Sequence, residues 1–127
     1  MDRASLLKIE RGGVYLVDFG LRYQHQKSEI GKVRPAVVWQ NDLITRNLDA
    51  APFPSVVVLP CTTDLKGGRF RVLLEPRDRL EKRSEIIVNW ICSVDIARFV
   101  ETEPLTRLKV HEAHELRRSL DFVLGYF

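Results

Sequence analysis

Two short stretches of the sequence hold residues whose types and spacing suit phosphate chemistry. The first is Ser28-Glu29-Ile30-Gly31-Lys32-Val33-Arg34-Pro35-Ala36-Val37-Val38-Trp39-Gln40, a polar run that ends in Arg-Pro and passes directly into an apolar segment. Proline fixes its own φ and pushes the preceding residue towards an extended backbone. Arg34 is therefore expected where a loop meets a rigid strand. A guanidinium held there keeps its charge at all ordinary pH values and presents a fixed fork of donors, which suits it to grip a phosphate or a carboxylate. The second stretch is Leu59-Pro60-Cys61-Thr62-Thr63-Asp64-Leu65-Lys66-Gly67-Gly68, where an apolar run gives out into hydroxyl residues and a glycine turn. Paired threonines at a strand end bond free backbone groups, and equally they can hold a phosphate or the hydroxyl that attacks it. Taken alone, Arg34 reads as a strand-opening residue paired with a surface acid and Thr62 as a turn residue. At the ends of two strands that a meander places side by side, they describe a basic, hydroxyl-lined pocket.

The elements that must position this pocket are short strands. Val14-Tyr15-Leu16-Val17-Asp18-Phe19 follows Arg11-Gly12-Gly13 and has the β-branched and aromatic make-up of a strand. Ala36 to Trp39 is the second, and Ser55-Val56-Val57-Val58-Leu59, closed by Pro60, the third. Phe70 to Leu74 and Ser84 to Val88 are the fourth and fifth. A polar connection from Gly20 to Val33 is long for a small domain and is expected to be functional or mobile. Asn41 to Pro54 reads as turn and loop, and Asp95 to Phe99 as a short turn. Near the end the period changes: Ala113, Leu116, Leu120, Val123 and Leu124 recur at helical spacing, and Gly125 stands where a helix commonly stops. His111 and His114 fall at the start of that helix as surface or capping residues. Five strands and one amphipathic helix predict a mainly β fold, a strongly twisted antiparallel sheet or barrel with the helix packed on it.

Composition limits what the pocket can belong to. A chain of 127 residues supports one core and not two ordinary domains, so a single domain over 1–127 with a polar lead-in over 1–11 is expected. The apolar share of 45% and charged share of 29%, with no long apolar run, describe a soluble globular protein. Met1 to Lys8 lacks the apolar core of a secretory signal, which predicts a cytoplasmic protein. Cys61 and Cys92 are the only cysteines, too few for a disulfide framework and without zinc spacing. A formal charge of +3 and a pI near 9.1 favour a polyanionic partner.

The order and spacing of Gly13 to Phe19, Ser28-Glu29 with Arg34-Pro35-Ala36-Val37-Val38, Pro60-Cys61-Thr62-Thr63 with Lys66-Gly67, and Val94-Asp95 before Arg98 resemble the MazF/PemK (Kid) family of toxin endoribonucleases from type II toxin-antitoxin modules. The resemblance runs from about Gly12 to Gly125. It implies a CcdB/MazF-like, SH3-like barrel with a C-terminal helix, a homodimer, a cognate antitoxin protein that occupies the RNA groove, and metal-independent, cofactor-free cutting of single-stranded RNA. It also implies that Arg34 and Thr62 are the catalytic pair, with attack of the 2′-hydroxyl on the adjacent phosphate to leave 2′,3′-cyclic phosphate and 5′-hydroxyl ends.

Supporting or RNA-binding roles then fall to Thr63, to His25, Ser28, Glu29 and Lys32 of the long loop, to Asn89 and Trp90, and to Lys66 and Arg69 of the basic run. The sequence departs from the Arg-x-Asp arrangement of Kid, since the corresponding positions are Ile87 and Asn89. Asn89 hydrogen-bonds a base but accepts no proton as a carboxylate does. His25 is the one imidazole of the loop, and Ser28 stands where some relatives carry a histidine. Two other readings stay open on the residues alone: a noncatalytic poison of the same fold that binds a protein, as the gyrase inhibitor CcdB does, and an RNA-binding regulatory module.

Overall fold

The computed structural model describes residues 8–20, 33–50, 52 and 54–126. Seven strands appear in chain order: β1 (Gly13–Asp18), β2 (Val33–Val38), β3 (Ser55–Thr62), β4 (Arg71–Leu74), β5 (Ser84–Ile87), β6 (Cys92–Asp95) and β7 (Thr106–Arg107). A short helix α1 (Asp42–Thr45) follows β2, and α2 (Val110–Leu124) ends the described chain. All strand pairs are antiparallel, in the order β4-β5-β3-β2-β1-β7, with β6 also on β3. A bridge between Val17 and Phe99 returns the segment after β6 to β1. The path β1, β2, β3, β6 and back to β1 therefore closes, which curls the sheet into a small barrel.

The alternation of side chains across these strands builds two cores. Tyr15 and Val17 of β1, Ala36 and Val38 of β2, and Val56 and Val58 of β3 point into the barrel, where they meet Val94, Ile96 and Phe99. Val14, Val37, Leu59 and Cys61 point the other way and pack with Leu116 and Leu120 of α2. Strands buried on both faces carry unbroken apolar runs, which is why Val37-Val38 and Val56 to Leu59 are so legible in the sequence. The helix begins at Val110 and stops at Gly125, whose φ of 84° is left-handed backbone that glycine takes without strain. His111 and His114 lie exposed on its first turns, as expected.

Three expectations change. Pro60 does not close β3; the strand runs through it to Thr62. On one edge β3 pairs with β6 as far as Val58 and with β5 from Cys61, so proline sits in the gap between partners, where no N–H is required. Second, β2 starts at Val33, so Arg34 is the second residue of a strand and not the last of a loop. The β2–β3 ladder stops at Ala36, next to Pro35, which has no N–H to extend it. Third, Asn41 to Pro54 holds α1, capped by the Asn41 side chain accepting from the Leu43 amide at 2.8 Å. Two strands were not anticipated: β6 is half polar, and β7 has only two residues, so neither shows a period of its own.

Candidate active site

Strand register brings Arg34 and Thr62 together. Ala36, Val37 and Val38 face Pro60, Leu59 and Val58, and the same register carried two residues further sets Arg34 level with Thr62 on one face of the sheet. On its other side Arg34 is paired with Val17 of β1. The two residues line a cleft of about 190 Å³ with Leu16, Val33, Pro35, Cys61, Thr63 and Ser84. A larger cleft of about 670 Å³ adjoins it through Leu16, Pro35, Thr63 and Ser84 and runs on to Arg79 and Lys82.

The electrostatics of the small cleft differ from those elsewhere on the surface. Arg71, Arg77, Arg79, Arg83 and Arg107 each have a carboxylate partner. Arg34 has none among the described residues, and its Nε is buried without a hydrogen-bond partner. Burial pulls the guanidinium below its usual range, with the neighbouring Cys61 acting weakly the other way. A cation that has lost water and gained no anion is matched to a ligand that supplies one. Burial also pushes the Cys61 thiol up to about 12, against a smaller opposite effect of Arg34, so it stays an uncharged group beside the cleft.

Thr62 is half-buried, and its Oγ1 accepts a hydrogen bond from the Asp64 amide at 3.0 Å. That bond uses one acceptor direction and leaves the O–H free to donate. Thr63 is exposed on the cleft wall. Lys66 is exposed and lies 3.5 Å from Asp64 in the same loop. The other expected contributors lie elsewhere. Arg69 stacks its guanidinium 4.8 Å from the ring of Phe122 on α2, and lines a separate cleft with Arg118 and Ser119. Asn89 is exposed in the turn after β5, while Trp90 packs partly buried against the barrel core. Ile87 is buried. His25, Ser28, Glu29 and Lys32 fall outside the described residues.

Sequence reasoning passed over Ser84, which lines the cleft, and the buried Glu85, which holds the loop after Thr62 and pairs with Arg71, a member of the basic run read from the sequence as an RNA-backbone contact. A signal was available for Glu85: a carboxylate opening the apolar run Ile86-Ile87-Val88 is out of place unless it has a buried partner. Among the described residues no group of three or more His, Cys, Asp or Glu side chains is arranged to hold a metal ion.

A curled antiparallel barrel with a C-terminal helix on its outer face, and a cleft that sets an arginine beside a strand-end threonine, define a class of small helix-capped β-barrels. The model for the PemK-like, MazF-like toxin of type II toxin-antitoxin systems matches residues 10–124. The endoribonuclease MazF of Staphylococcus epidermidis is 34% identical over 120 residues, covering 92% of each chain. That of Staphylococcus saprophyticus is 32% identical over the same share. Among solved structures, MazF from Deinococcus radiodurans has the same fold, with a TM-score of 0.69 at 21% identity over 91% of this chain and 96% of that one. A MazE-MazF structure from the same organism gives 0.68 at 20% identity, covering 94% and 98%. The chain belongs to the PemK/MazF toxin family.

Proposed function

We propose that this chain is the toxin of a type II toxin-antitoxin pair and cuts single-stranded RNA with Arg34 and Thr62 as its catalytic residues. The family is one of endoribonuclease toxins, and the chain is an endoribonuclease of that kind. The observation that carries the site assignment is the half-buried, anion-free Arg34 set level with Thr62 in one cleft.

In this reading the scissile phosphate sits between the guanidinium and the Thr62 hydroxyl. The 2′-oxygen of the adjacent ribose attacks phosphorus, the bond to the 5′-oxygen breaks, and the products carry a 2′,3′-cyclic phosphate and a 5′-hydroxyl. One proton leaves the 2′-oxygen and one reaches the 5′-oxygen, so no water is consumed. Negative charge builds on the non-bridging oxygens as the new bond forms. Arg34 stabilises that charge where its own lost hydration makes the interaction strong. Thr62 donates its O–H to the same phosphate and fixes its orientation. No described residue lining the cleft is a carboxylate or an imidazole. Among the described residues, charge and positioning at these two groups supply the rate gain, and the group that takes the 2′ proton is left open. Lys82, further along the adjoining cleft, meets the RNA backbone, while Arg79 there is paired with Glu101.

The whole chain acts as one domain, forms a homodimer, and works in the cytoplasm, where messenger RNA and the antitoxin are met. No described helix is long and apolar enough to cross a membrane. The named structures of MazE-MazF support an antitoxin as the protein partner. The test is end mapping on a long RNA cut by purified protein in excess chelator. Cyclic phosphate and 5′-hydroxyl ends are expected, with cutting lost and RNA binding retained in Thr62→Ala. Ends bearing 5′-phosphate, or undiminished cutting by that variant, overturn the reading.

A further inference from the structure

Glu85 lies opposite Thr62 in the β3–β5 ladder, so the two side chains share one face as direct cross-strand neighbours. Its side chain is only 7% exposed. The carboxylate is turned onto the loop that follows Thr62: Oε1 accepts from the Lys66 amide at 2.8 Å and Oε2 from the Gly67 amide at 3.0 Å. Arg71 donates through Nη1 to Oε1 at 3.0 Å, and the same nitrogen reaches the Asp64 carbonyl at 3.2 Å. The Asp64 amide in turn donates to Thr62 Oγ1. The buried acid thus holds the loop at Lys66 and Gly67 directly and at the Asp64 carbonyl through Arg71, and the Asp64 amide contacts the hydroxyl in the cleft.

A buried carboxylate here is expensive without partners, and a hydrophobic residue would serve the sheet equally well. What the acid adds is two backbone N–H groups captured at the far side of the loop and one arginine tied to its near side. We infer that Glu85, braced by Arg71, is a positioning residue for RNA cleavage, holding the Asp64–Gly67 loop so that the Asp64 amide fixes the Thr62 hydroxyl in its donating orientation. This rests on the assignment of Thr62 above. It assigns Glu85 no contact with RNA and no proton transfer. Its effect reaches the chemistry through loop geometry alone, where a shift of about 1 Å is worth on the order of a hundredfold in rate.

Glu85→Gln keeps the size of the side chain and one acceptor oxygen while removing the charge that holds Arg71; Glu85→Ala removes the whole clamp. The experiment measures single-turnover cleavage and RNA affinity, together with amide hydrogen exchange, in both variants beside Thr62→Ala. The expected result is a cleavage rate lowered at least tenfold in Glu85→Ala and less in Glu85→Gln. RNA affinity stays within about twofold, and exchange is faster at Asp64, Lys66 and Gly67 while amides of β1 and β2 keep their protection. An unchanged rate in Glu85→Ala overturns the inference, as does a rate loss accompanied by faster exchange throughout the sheet, which marks general destabilisation. Should Glu85→Ala not fold, Glu85→Gln decides: released loop amides with a parental rate overturn the inference, and released amides with a lowered rate support it. Thr62→Ala cutting at the parental rate defeats the Thr62 assignment itself, and is read independently of either Glu85 variant.

Discussion

Arg34 keeps its positive charge in a place where much of its water has been removed and no acid among the described residues replaces it. A partly desolvated cation without an anion is expected to add little to the stability of the free protein, and the proposed role in binding phosphate accounts for its place. Arg34→Ala is expected to lower cleavage by about a hundredfold or more, the effect of losing one preorganised charge worth a few kcal/mol in the transition state, while the thermal midpoint stays level or rises. Arg34→Lys restores charge without the planar fork and recovers only part of the rate. A midpoint that falls by several degrees in Arg34→Ala places the residue among structural arginines instead. Beneath it, Cys61 has its thiol pushed by burial from an ordinary 9.0 up to about 12, and burial also raises the Tyr15 phenol above its ordinary 10.0. Both groups are held neutral by the fold. The stability this confers is complete below the unfolded-chain values and is lost as pH rises through the folded ones. Urea midpoints are therefore expected to fall from about pH 9 upward, and Cys61→Ala to flatten the first part of that decline.

At the scale of elements, α2 is fastened to the sheet at both ends. Near its C-terminus Phe122 stacks on Phe70 at a centroid distance of 6.0 Å, and Ser119 Oγ donates to the Arg69 carbonyl. At its N-terminus Glu112 receives the Arg77 guanidinium in a two-point contact of 2.8 and 2.5 Å and also accepts from the Lys109 amide at 2.7 Å. The carboxylate thus caps the helix, faces its positive end and closes a buried ion pair. Glu112→Ala leaves Arg77 buried without its anion and is expected to cost about 3–5 kcal/mol in a denaturant titration. The exposed pair Arg83 and Glu75 is the control: Arg83→Ala should cost no more than about 1 kcal/mol. Similar losses in the two variants would show that the Arg77–Glu112 contact is no better desolvated in solution than a surface pair.

One cleft system among the described residues runs from Arg34 and Thr62 to Arg79 and Lys82, with Asp78, Glu81 and Glu101 also on its wall, on a chain with a formal charge of +3. A polyanion follows such a path, and so does an acidic, disordered protein segment that orders as it binds. The protein is expected to sediment as a dimer of 14.7 kDa chains at micromolar concentration, and its co-encoded antitoxin to inhibit cutting competitively with RNA. Inhibition that RNA cannot relieve, or a strict monomer that still cuts, contradicts a shared groove across a dimer. RNA affinity should fall steeply with added salt, because released counterions supply much of the binding free energy.

The sequence by itself determined the kind of protein this is. Val14 to Val17, Val37-Val38 and Val56 to Leu59 announce strands buried on two faces, the apolar stripe ending at Gly125 announces the helix, and Arg34 with Thr62 supplies the candidate catalytic pair. These signals are local, carried by residue type and by periods of two and 3.6. Only the tertiary structure decided that Pro60 lies within a strand, that Cys92 to Asp95 and Thr106 to Arg107 join the sheet, and that Arg69 turns to α2 rather than to the cleft. It alone decided that Arg34 has no acid beside it among the described residues, whereas Arg71 has Glu85 and Arg77 has Glu112. Those partners are 14 and 35 residues apart in the chain. A guanidinium's partner is set by strand register and helix docking, which bring distant residues within a few ångströms. No feature of the arginine or its neighbours in sequence carries that information.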